Sequence, residues 1–182
     1  MKPLLTLICC LLLCMSGCGA PGGGAASAPP AAQTSAGQTA ENTPPADAVT
    51  VEITPPAGWE SVAGSVLDVQ YLKGTASFLV KPEELAGATL DEAVESAEAI
   101  YQNAFGQYAA EGEPETITID GKDARRLTFT CTVSNIPMKF VYAYLFAGNQ
   151  TYVITFGDQE STFDAIEPDI DAILGSIRFI EN

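Results

Sequence analysis

The chain has no histidine, and beyond residue 18 it has one cysteine, Cys131. Its 182 residues carry eight Lys and Arg against 23 Asp and Glu, a formal net charge of −15. Each shortage excludes something. Without histidine there is no Ser-His-Asp or Cys-His arrangement, and the commonest general base is missing. Zinc sites built on imidazole are excluded for the same reason. A surface this acidic repels nucleic acid and anionic lipid head groups, so no nucleic-acid partner is expected. Familiar catalytic spacings are missing too. There is no Ser-x-x-Lys pair, and Gly121-Lys122 runs into Asp123 rather than the Ser or Thr of a phosphate loop. Asp169 and Asp171 in "PDIDA" offer fewer oxygens than a calcium loop needs and read as solvated carboxylates. A carboxylate pair converging from distant parts of the chain is the one enzyme reading left open. The expectation is a protein with no catalytic residues, no cofactor and no metal.

The cysteines that are present crowd the start. Cys9, Cys10, Cys14 and Cys18 lie within "MKPLLTLICCLLLCMSGCGAPGGG". Lys2 is followed by an uncharged run from Leu4 to Met15, the length of a signal-peptide core and short of the ~20 residues that span a bilayer. "MSGC" then resembles the bacterial lipobox, with Met15 in place of the usual Leu. That resemblance implies cleavage after residue 17, with Cys18 as a lipidated N-terminus that anchors the chain to a membrane. Two or three acyl chains hold stably at about 0.8 kcal/mol per buried CH₂. The alternative is an ordinary secretory signal in which Cys18 is incidental. Loss of a leader would leave Cys131 as the only free thiol, which rules out an intramolecular disulfide. Loss of Lys2 with it takes the charge to −16.

Residues 18–48 read as a tether. All of Gly19 to Ala48 except Glu41, Asn42 and Asp47 is Gly, Ala, Pro, Ser, Thr or Gln, with nothing large to bury. A flexible coil of that length spans about 30 Å. From Val49 to Asn182 the chain is rich in Val, Ile, Phe and Tyr, enough for one compact domain.

Within it, Val49, Val51 and Ile53 alternate and stop at Pro55-Pro56, which predicts a short first strand. A hairpin is predicted around Lys73-Gly74, its inward arms being Leu67, Val69 and Tyr71, and Ala76, Phe78 and Val80. Thr89 with Glu92 has capping-box spacing. Leu90, Ala93, Val94, Ala97, Ile100, Ala104, Phe105 and Tyr108 form the apolar stripe of the helix that follows. Asp120-Gly121 and Gly148-Asn149 mark hairpin turns. Between them Leu127, Phe129, Cys131 and Val133 alternate. "MKFVYAYLFA" is apolar on both faces, Phe140, Tyr142, Tyr144 and Phe146 on one and Val141, Ala143 and Leu145 on the other, as in a strand covered on two sides. A last helix carries Phe163, Ile166, Ile170, Ile173 and Leu174, with Ser161 as its cap, Pro168 kinking it or starting its second half, and Gly175 as its end. The predicted fold is α+β: a mostly antiparallel sheet of six or seven strands flanked by helices.

This order, with "ITPPAGWE" entering and "SIRFI" leaving, resembles the PsbP-like α/β/α sandwich over about Val49 to Phe179. Members with known roles are largely assembly or binding factors, which implies binding rather than chemistry and supplies no catalytic residues. The expected protein is therefore a membrane-anchored, extracytoplasmic lipoprotein that engages another envelope protein through a sheet edge or loop. The runner-up is a small-molecule or peptide binder with a pocket between sheet and helix, lined by Tyr142, Tyr144 or Tyr152. Two further candidate contacts are Trp59, read as core packing ahead of a ligand platform, and Arg125-Arg126, read as pairing with Asp120 or Asp123 ahead of an anion or partner contact. Cys131, on an inward strand face, is expected to be buried.

Overall fold

The computed structural model describes residues 49–67 and 69–181. The expected leader (1–17), the lipidated Cys18 and the tether (18–48) lie outside the described residues.

Twelve regular elements and a single 3₁₀ turn follow one another along the described chain. They are β1 (Val49–Glu52), β2 (Glu60–Ser61), β3 (Val69–Lys73), β4 (Ala76–Glu83), α1 (Leu90–Ala104), β5 (Gly106–Ala110), β6 (Glu115–Ile119) and β7 (Lys122–Val133). Then come β8 (Ile136–Ala147), β9 (Gln150–Gln159), the 3₁₀ turn (Phe163–Ala165), α2 (Glu167–Ser176) and β10 (Arg178–Glu181). The main sheet is antiparallel in the order β2-β3-β4-β9-β8-β7-β5, with β6 also on the outer side of β7. It therefore has eight strands among the described residues, against the six or seven expected. The extra strands are the two-residue β2 and β5, the latter lying where the apolar stripe predicts the end of the helix. The first and last strands stay outside this sheet and pair with each other as a ribbon, Val49 opposite Glu181.

Local chemistry accounts for the turns. The β6–β7 link is a two-residue turn with Asp120 and Gly121 at φ 51° and 73°. Positive φ at both positions matches the twist of the flanking strands, and Gly adopts it at no steric cost. The β7–β8 link does the same with Ser134 and Asn135, at φ 51° and 66°.

Strand alternation makes three layers. One sheet face presents Leu127, Phe129, Cys131, Phe140, Tyr142 and Tyr144 and is covered by Val94 and Ala97 of α1. The other presents Phe78, Val141, Ala143, Leu145 and Phe156 beneath Ile170, Ile173 and Leu174 of α2 and Phe179 of β10. Burying both faces is what the doubly apolar β8 requires. Phe140 lies opposite Gly157 on β9, and its ring occupies the space where a side chain at 157 would stand.

Four local expectations are corrected. In α1 the buried stripe runs Leu90, Ala93, Val94, Ala97 and then Tyr101, while Ile100 is 52% exposed and Ala104 exposed. Four residues turn a helix about 400°, so 101 stays in phase with 97 whereas 100 drifts off the contact line. The helix stops at Ala104, and Tyr108 reaches the same core from β5, its ring 5.1 Å from that of Phe129. In the last helix Ser161 caps nothing. Thr162 turns back to donate to Asp158, and α2 starts at Glu167 with Pro168 in its first turn, where a missing N–H costs no helix bond. Gly175 lies inside the last turn, which Ser176 ends.

Candidate functional site

Trp59 is 7% exposed and meets Phe78 edge-on at 5.1 Å. Its indole N–H donates to Asp169 Oδ2 at 2.9 Å, and Lys73 Nζ donates to the same oxygen at 2.6 Å. Asp169, expected to be solvated, is instead the acceptor that joins the β1–β2 loop, β3 and α2. The Lys73 hydrogen bond holds its carboxyl below the usual carboxylate range, against the opposing effect of burial and with help from Trp59. Trp59 is therefore a packed core residue, as expected.

Arg125 and Arg126 are brought to opposite sides of the sheet. Arg125 Nε donates to Asp91 Oδ1 on α1 at 2.6 Å, and Arg126 Nη1 to Asp171 Oδ1 on α2 at 3.0 Å. This corrects the expected pairing with Asp120 or Asp123. Consecutive strand residues point to opposite faces, so neighbours in sequence reach different helices. Asp120 instead accepts the backbone N–H of Phe179 at 2.9 Å and clasps the ribbon to the sheet.

The three tyrosines do not share a pocket. Tyr142 and Tyr144 lie beneath α1, 3% and 0% exposed, whereas Tyr152 faces the other core, 5.1 Å from Phe179. Tyr144 donates to the Tyr101 hydroxyl at 3.0 Å, and desolvation pushes all three phenols of the Tyr101, Tyr142 and Tyr144 group well up. They are neutral, packed groups. Burial likewise pushes the Cys131 thiol up to about 11, the opposite of a reactive thiolate.

What stays open is the end of the α1 face beyond the start of the helix. There a groove of about 830 Å³ lies between Pro82–Leu85 with Gly87 and Ala88 on one side and the β8–β9 hairpin on the other. Phe146 lines it and is 38% exposed. Phe146 pairs with Thr151, and Thr151 with Glu83, so a row of the sheet forms the base. Glu83 is engaged by Lys81. The wall near the helix is tight, since a Cβ on Gly87 would lie 2.7 Å from the Ala93 nitrogen. The helix N-terminus beside it is not an anion site. Thr89 accepts from the Glu92 N–H, and Glu92 accepts from the N–H groups of Ala88 and Thr89. Among the described residues no group of three or more His, Cys, Asp or Glu is placed to hold a metal.

Sequence reasoning placed Phe146 on the inward face with Tyr144 and missed its exposure. The signal was one of length. A 15-residue helix covers about 22 Å, and a 12-residue strand runs about 40 Å, so one end of β8 had to outrun its cover.

No family model and no curated protein matches the sequence. Solved structures do match in fold. LpqN, involved in cell envelope biogenesis of Mycobacterium tuberculosis, superposes with a TM-score of 0.60 at 9% identity, over 76% of this chain and 87% of that one. Cyanobacterial PsbP from Synechocystis aligns at a TM-score of 0.48 and 14% identity, over 79% and 98%. At 9% identity the likeness to LpqN is one of fold. Among the described residues no helix is long and apolar enough to cross a membrane.

Proposed function

We propose that the chain is an extracytoplasmic lipoprotein, anchored through Cys18, whose domain is a non-enzymatic protein-binding module of the bacterial cell envelope. The observation that carries the binding role is the open groove with a half-exposed aromatic in its base. Buried polar side chains that a catalyst would use, the phenols and Cys131 among them, are instead neutral members of the core. The envelope role draws support from LpqN, which has this fold and is involved in cell envelope biogenesis. The leader and "MSGC" sequence support the anchor. A ligand pocket between sheet and helix has less in its favour, because Tyr101, Phe105, Phe129 and Tyr142 stack into that space at centroid distances of 5.1–6.2 Å.

The test is site-specific photo-crosslinking in intact cells. A crosslinker at Asn149, on the groove, should capture a discrete envelope protein. One at Glu160, at the other end of β9, should not, and Phe146→Asp should abolish the capture from Asn149. Capture that ignores Phe146→Asp, or none at all, would remove the groove as the binding site.

A further inference from the structure

Two strands beyond β8, which lines the groove, the sheet ends at the free edge of β6. The turn at Asp120-Gly121 makes Ile119 and Lys122 a hydrogen-bonded pair, so Ile117 and Glu115 are the next residues bonded to β7. The N–H and C=O groups of Thr116 and Thr118 therefore point outward, and no described residue hydrogen-bonds them. Other edges of the sheet are blunted. Beside it, β5 is bent by an irregularity between Gly106 and Ala109, with Gln107 at φ 51°. At the far edge β2 is two residues long. By contrast β6 reads Glu-Thr-Ile-Thr-Ile, with no lysine, proline or bulge to deter pairing.

Register joins this edge to the groove. Thr118 pairs with Asp123, and the β7–β8 register carried one residue past Ala124 and Leu145 sets Asp123 beside Phe146. A strand added to β6 would thus widen the surface that Phe146 centres. Charge selects the occupant. Glu113 and Glu115 are exposed and form no salt bridge among the described residues, and Arg126, opposite Glu115 on β7, is committed to Asp171. A second copy of the chain would bring four such carboxylates together across the new pairing, which disfavours it.

The geometry points to β-strand addition at β6: the edge takes an extended segment of the partner protein that carries Lys or Arg at alternate positions. This rests on the reading of the domain as a protein-binding module. Backbone hydrogen bonds to Thr116 and Thr118 supply the affinity, and the carboxylates supply selection for positive charge.

The probe is a seven-residue peptide alternating lysine and valine, titrated against the full chain in detergent and followed by amide chemical shifts. It should bind and perturb β6. A fully N-methylated version should bind about tenfold more weakly or worse, since two or more backbone bonds are lost. A glutamate-for-lysine version should lose a similar factor. Thr118→Pro removes an outward N–H without touching the ladder to β7, and should abolish binding at an unchanged melting temperature. If that variant misfolds, Glu113→Gln with Glu115→Gln should weaken binding and flatten its salt dependence. Equal binding of the N-methylated peptide, no binding of the parent peptide, or indifference to the β6 variants would overturn the proposal. A chain dimer broken by Thr118→Pro would assign the edge to a second copy instead. Failure here with capture at Asn149 intact would leave the binding module standing and remove only the edge; failure of both would remove the module.

Discussion

Asp169 is the sharpest test of how the domain is tied together. Replacing it with Ala leaves the indole N–H of Trp59, 7% exposed, without its acceptor. That costs about 1–3 kcal/mol. The Lys73 pair, with the lysine side chain 35% exposed, adds no more than about 1 kcal/mol. Asp169→Ala should therefore destabilise the domain by about 2–3 kcal/mol. Asp169→Asn keeps an oxygen for Trp59 and loses only the charge, so it should cost about 1 kcal/mol. The pH dependence follows from the sign of the shift. The folded-state carboxyl sits below its ordinary value of 3.8, chiefly through the Lys73 hydrogen bond, so its stabilisation is complete above that value and is lost as pH falls through the folded one. The gap between parent and Asp169→Asn should be constant at neutral pH and close below about pH 4. Urea unfolding followed by Trp59 fluorescence measures this directly, because Trp59 is the only tryptophan in the chain. Asp169→Ala within about 0.5 kcal/mol of the parent, or a gap undiminished at acid pH, would refute the reasoning.

Cys131, 3% exposed, should react with a thiol reagent only after denaturant is added, and Cys131→Ser should destabilise by about 1–3 kcal/mol. Rapid labelling of the folded chain at neutral pH would contradict its burial. Gly157→Ala drives a methyl into the Phe140 ring and should cost about 1–3 kcal/mol in denaturant unfolding, whereas Gly121→Ala, with open space around it, should show only the strain of its positive φ. Cys18→Ala should abolish membrane partitioning and acyl labelling, while Cys9→Ala, Cys10→Ala and Cys14→Ala should leave both unchanged; a Cys18 variant that still fractionates with membranes at the parent's mass would remove the lipid anchor.

The sequence by itself determined the local elements, because each rests on interactions between residues near in the chain. Alternation in β8, the capping box of Thr89 with Glu92 and the Asp120-Gly121 turn are physical patterns of short range, and all three stand in the structure. The same patterns made the three-layer arrangement legible, since a strand apolar on both faces has to be covered twice. Only the tertiary structure decided which elements meet. Arg125 and Arg126 find their carboxylates 34 and 45 residues away, and Trp59 finds Asp169 110 residues on. No spacing rule reaches that far. The ends of elements escaped as well: whether a helix runs on to Tyr108 or yields to β5 depends on the open edge of β7, a partner that the helix sequence does not contain. The groove and the β6 edge escaped for a related reason. Exposure of Phe146, and of the outward backbone of Thr116 and Thr118, records where cover stops, and cover is set by the lengths and positions of other elements.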